Sequence, residues 1–175
     1  MSNPAPSSTA LPIAYLALRI LIVLNWLMAP VILALLFVMP NEQWIMSALK
    51  LSPSPHADRV VMGMRAIALL GLVAIPLNYA VLKRLLAMVE TVRGGDPFVA
   101  ANASRLQAIA WALLALQVLS VVIGTIAKSI STPAHPIHLS AGFSINGWLA
   151  VLLTFLLARV FAEGALMRAD LEGTV

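Results

Sequence analysis

At 175 residues, with 61% hydrophobic side chains, 10% charged ones and a mean hydropathy of +0.96, the chain has the composition of a membrane protein, because soluble domains carry about a quarter charged residues. Its formal charge of +4 comes from eleven Lys and Arg scattered along the sequence, several flanking apolar runs where they meet lipid headgroups, so direct nucleic-acid binding is not expected. There is no cysteine, which excludes disulfides, thiolate metal sites and cysteine nucleophiles.

Residues 1–12, rich in Ser, Pro and Ala, predict a disordered lead-in. A single transmembrane domain over 13–170 follows, with 171–175 as a short tail. Four runs contain no Lys, Arg, Asp or Glu: Ile20–Met39, Ala66–Leu82, Leu106–Ala127 and Leu139–Ala158. About 20 such residues cross a hydrocarbon core of roughly 30 Å. The spacing therefore predicts an all-α, polytopic membrane protein with four transmembrane helices in a bundle, over about 13–39, 60–82, 106–127 and 139–158. The first run is too long for a signal-peptide core, and Met39-Pro-Asn-Glu lacks an Ala-x-Ala cleavage pattern, so an uncleaved anchor is expected.

Four spans place both termini on one side. That side holds Arg19, Lys83, Arg84, Arg93, Arg105, Arg159 and Arg168, and the other holds Lys50, Arg59, Arg65 and Lys128. Seven against four predicts cytoplasmic termini, because short cytoplasmic connections retain Lys and Arg.

Asn25, Asn78, Gln117 and Asn146 are polar groups within the predicted spans. A lone amide in hydrocarbon is costly, so each is expected to face the bundle, with Asn25 and Gln117 bonding to each other. Pro30 and Pro76 interrupt the first two spans and are expected to shape their helices.

The connection between spans two and three carries the most local signal. Leu82, Leu85, Leu86, Val89 and Val92 keep a helical period past the second run. Gly94-Gly95 reads as the stop, since glycine adopts positive φ freely. Asp96-Pro97 reads as the next start, Asp as a cap and Pro at the first helical position. Val160, Phe161 and Leu166 continue the fourth helix in the same way. Helices two and four are thus expected to extend into the cytoplasm and form a small platform. On that reading Phe98 and Asn102 lie on one flank, one turn apart.

His56, His135 and His138 lie in the predicted external loops, and His135-Pro-Ile-His138 is weak metal-site spacing with no acidic cluster beside it. There is no phosphate-cradling glycine loop, His-Glu-x-x-His or Gly-x-Ser-x-Gly, and no intramembrane pair of acids. Neither an enzyme nor a cofactor is expected.

The inner connection, Gly95-Asp96-Pro97-Phe98, then Asn102, then Arg105-Leu106, resembles a bacterial family of small integral membrane proteins known as domain of unknown function 2975 (DUF2975). The tail is similar to that family's acidic C-terminus: Glu163-Gly-Ala-Leu166, then Asp170-Leu-Glu-Gly-Thr174-Val175. The family has no established activity, and its members are encoded beside small helix-turn-helix regulators. The resemblance implies a regulatory or signalling protein of the bacterial inner membrane that holds a cytoplasmic DNA-binding partner through the Gly95–Leu106 segment and the Thr174-Val175 tail. A small transporter or channel, a structural subunit of a membrane complex, and a homo-oligomer are the alternatives that the residues leave open.

Overall fold

Ala, Leu, Ile and Val fill the apolar runs, and where lipid supplies no hydrogen bonds the backbone must satisfy itself within a helix. The computed structural model describes residues 10–38, 55–131 and 141–172. It contains α1 (Ala10–Val38), α2 (Pro55–Arg93), α3 (Ala100–Ile130) and α4 (Ile145–Glu172). All four are long and apolar enough to cross a membrane. At 39 residues, α2 is about 58 Å long, nearly twice the thickness of a hydrocarbon core.

The helices run up and down in antiparallel neighbours. Between α1 and α2, Asn25 Nδ2 donates to the Ile75 carbonyl at 3.1 Å, and Trp26 meets Tyr79 edge to face at 5.4 Å. Gly63 lies so close to α3 that an added Cβ would stand 2.6 Å from Ile130 Cγ2. Between α3 and α4, Trp111 and Phe155 pack edge to face at 5.3 Å. Small residues let membrane helices approach in this way, and aromatic pairs lock the contact.

The expected bundle is not closed. Among the described residues α1 packs on α2, α2 on α3 and α3 on α4, and no other pair of helices touches. The four form an open row, which leaves broad apolar faces uncovered on the outer helices. Ile13 and Leu16 on α1 are 66% and 60% exposed, and Leu152 on α4 is 65% exposed. Such faces suit lipid and would be a liability in water.

The fourth helix starts later than its apolar run. Residues 141–144 are non-helical, and Ser144 caps α4, its Oγ accepting from the Gly147 N–H at 3.2 Å. A Ser just before an apolar run is a helix-start signal; reading the run back to Leu139 overlooked it.

Pro30 and Pro76 sit inside α1 and α2. His56 belongs to the first turn of α2 and not to the loop before it, because that helix starts at Pro55. The expected lead-in over 1–12 loses its last three residues to α1, which starts at Ala10; residues 1–9, the remainder of the connections before α2 and α4 with His135 and His138, and the last three residues of the chain lie outside the described residues.

Candidate functional site

Gly94-Gly95 ends α2 as expected, by a double hydrogen-bond closure. The Gly95 N–H reaches the Val92 carbonyl and the Asp96 N–H reaches that of Thr91, both at 3.1 Å. Gly95 adopts φ +85°, the left-handed geometry that this closure requires.

Asp96 does not cap α3. The helix begins at Ala100 with Val99 extended before it and no side-chain cap. Pro97 disfavours helical geometry at the residue before it, so the chain passes from the turn into an extended step. Asp96 instead pairs with Arg168 on α4. Phe98, in the same step, turns toward α4 and stacks on Phe161 with ring centroids 5.3 Å apart. Gly164 makes room for it: a Cβ there would stand 3.1 Å from Phe98 Cδ1. The two sequence segments that carry the family resemblance therefore meet in space.

Asn102 faces the other way. It is fully buried, the largest such side chain among the described residues, and is unavailable to a partner. Its Nδ2 donates to Thr91 Oγ1 at 2.7 Å and to the Pro97 carbonyl at 2.9 Å. Its Oδ1 accepts from Arg105 Nη1 at 2.8 Å, and the same Nη1 approaches the Ala87 carbonyl at 3.4 Å. Thr91 Oγ1 in turn donates to the Met88 carbonyl at 2.8 Å. One buried amide thus ties the end of α2, the turn and the start of α3 together, with both donors and its acceptor used. The shared flank expected for Phe98 and Asn102 is overturned, because Phe98 lies before the helix and not within it.

Leu106 is buried, one turn along α3 from Asn102. Glu163 is exposed and pairs with Arg159 at 2.9 Å. Thr174 and Val175 lie outside the described residues. Thr91, Phe161 and Arg168 complete the site, and sequence reasoning did not single them out as members. A Thr in the last turn of α2 and an Arg on a helix predicted to overrun the membrane were the available signals.

Beside this turn runs a groove of about 600 Å³ between the start of α3 and the end of α4. Six alanines line it, Ala100 and Ala103 on one wall and Ala158, Ala162, Ala165 and Ala169 on the other. It runs from Ala100 to Gln107 along α3 and from Phe155 to Ala169 along α4, so it straddles the level of Arg159.

The intramembrane amides do not converge. Asn25 serves the α1–α2 interface, and Asn78 Nδ2 returns to the Ala74 carbonyl of its own helix at 3.0 Å. Gln117 Nε2 points at the Ser144 carbonyl at 3.5 Å, and Asn146 is exposed in the first turn of α4. The expected Asn25–Gln117 bond is absent because α1 and α3 do not touch.

A second polar cluster holds the segment that leads into α4. Ser120 Oγ accepts from the Gly142 N–H at 3.1 Å and reaches its carbonyl at 3.3 Å. Gly124 permits the approach; a Cβ there would stand 2.6 Å from Gly142 Cα.

No family model, curated protein or solved structure matches the chain.

Proposed function

We propose that this chain is a non-enzymatic regulatory protein of the bacterial inner membrane that holds a cytoplasmic partner against its inner turn. The observation that carries this reading is the alanine-lined groove, which starts at Gln107, Phe155 and Ala158 at the ends of the third and fourth apolar runs, continues past Arg159 and lies beside a turn latched to α4. Small side chains on both walls suit a helix laid into the groove. Exposed Leu166 and Phe98 at its border offer apolar anchors next to the Arg159–Glu163 pair.

The termini, the inner turn and the ends of α2 and α4 are assigned to the cytoplasm, on the seven-to-four distribution of Lys and Arg. The resemblance to DUF2975 supports a small helix-turn-helix regulator as the partner. On this reading the regulator contacts DNA and the membrane protein does not.

The test places a photo-crosslinking residue at Ala103 in native membranes, with and without Ala162→Trp, which fills the groove. Capture of a soluble DNA-binding protein that Ala162→Trp abolishes is the expected result. Capture of membrane proteins alone, unchanged by the substitution, would replace this reading with that of a structural subunit.

One observation favours a second reading, a small transporter. Residues 141–144 are non-helical and lie against Ser120 and Gly124, within the third apolar run, and irregular backbone at membrane depth often lines a polar path. Ion flux in liposomes that disappears with Gln117→Ala would support it.

A further inference from the structure

The apolar part of α2 ends at Lys83-Arg84, and that of α3 starts just after Arg105. These three cations converge on one pocket of about 410 Å³ between the two helices, lined also by Tyr79, Ala80 and Ala87. Among the described residues no carboxylate pairs with any of the three; Glu163 and Asp96 pair with Arg159 and Arg168 instead. Three like charges facing one pocket repel one another unless an anion enters.

The two guanidiniums are held in place and are not free to sweep the surface. Arg84 Nη1 donates to the Ala80 carbonyl at 2.9 Å. Arg105 is fixed by the Asn102 amide, itself immobilised by Thr91 and Pro97. Each commits one nitrogen, and a guanidinium carries five N–H donors, so Nη2 and Nε of both remain to bind. Lys83 Nζ lies 6.0 Å from the Tyr79 ring centroid, where it closes a third side. The alanines at 80 and 87 keep the floor shallow.

The level of the pocket identifies its ligand. On α2, Arg65 and Arg84 are nineteen residues apart, about 29 Å at about 1.5 Å per residue. That equals the thickness of a hydrocarbon core and sets the pocket at the depth of lipid phosphates. We propose that Lys83, Arg84 and Arg105 form a binding site for the phosphate of an anionic phospholipid. A planar guanidinium takes phosphate oxygens in pairs, and basic pockets between membrane helices suit such headgroups. This inference rests on the chain spanning a membrane and is independent of the partner-binding reading.

Native mass spectrometry of the full chain in detergent tests it, with cardiolipin, phosphatidylglycerol and phosphatidylcholine as probes. The expected result is retention of the two anionic lipids at least tenfold over phosphatidylcholine. Lys83→Gln with Arg84→Gln, both outside the Asn102 network, should weaken anionic retention about 25-fold, at about fivefold per charge removed near the surface. Arg105→Lys adds a variant that keeps the charge but loses the paired donors, and it should fall between. Lys128→Gln, on the opposite side, should leave retention unchanged. Equal retention of phosphatidylcholine, or retention unaltered by the double variant, overturns the site. Displacement of the lipid by millimolar inorganic phosphate would overturn the lipid assignment, showing that free phosphate is the ligand. Circular dichroism of each variant confirms that the helices persist, so lost binding cannot be mistaken for lost fold.

Discussion

Replacing Asn102 by alanine removes the one side chain that joins the end of α2, the turn and the start of α3. Three hydrogen bonds disappear, to Thr91 Oγ1, the Pro97 carbonyl and Arg105 Nη1. Two neutral bonds contribute about 0.5–1.5 kcal/mol each, and one to a charged group about 1.5–3 kcal/mol. Relaxation around the small cavity and hydration of Arg105 offset part of this, so Asn102→Ala is expected to destabilise the chain by about 2–4 kcal/mol. The loss should be local. Amide exchange in detergent should accelerate over residues 91–105 and stay unchanged in the middle of α1. Asn102→Asp sharpens the test, because it keeps the shape and the Arg105 contact but sets an acceptor against the Pro97 carbonyl, and can bond Thr91 Oγ1 only if that hydroxyl gives up the Met88 carbonyl. Aspartate should therefore fail to restore protection despite its charge. A change below about 0.5 kcal/mol for Asn102→Ala, the range of an ordinary surface substitution, would refute the argument, as would full rescue by aspartate.

Gly95→Ala forces a side chain into left-handed geometry at φ +85° and should cost about 1–2 kcal/mol, read as a lower midpoint in SDS-induced unfolding. Gly124→Ala places a Cβ against backbone at Gly142 Cα and the Ala141 carbonyl, 2.6 and 2.7 Å away, where no side chain can swing aside. Amide exchange at Gly142, whose N–H is held by Ser120 Oγ, should accelerate in that variant and stay unchanged in Gly71→Ala, where the nearest atom is 3.5 Å off. Arg168→Gln breaks a half-exposed pair with Asp96 and should shift stability by no more than about 1 kcal/mol. Its combination with Phe98→Ala should free the turn from α4, seen as a longer distance between spin labels at positions 99 and 167, which leave the Asp96–Arg168 pair and the Phe98–Phe161 stack intact in the reference protein.

The four helices and the stop at Gly94-Gly95 were legible because they rest on local rules: uninterrupted apolar length and the freedom of glycine at positive φ. Direction was not. A helix apolar on every side gives no period from which to read its neighbours, so nothing in α1 revealed that α2 would be its one neighbour among the described helices. Asp96-Pro97 carries the signature of a helix start, yet the same Pro pushes Asp96 into extended geometry and hands its carboxylate to Arg168. That choice depends on where α4 passes, seventy-two residues later. Asn102 was visible as a notable residue. Its burial followed from Thr91, whose hydroxyl becomes a partner only once the turn has closed.

A row in which each helix touches only its neighbours in sequence has a consequence for biosynthesis. Among the described residues no helix packs on one that is not its neighbour in sequence, so α1 and α2 can pair before α3 has left the ribosome, and each later helix docks on one already in place. Such low contact order favours rapid assembly. α4, which emerges after α3, then carries Arg168 and Phe161 to a turn already formed, where Asp96 and Phe98 receive them.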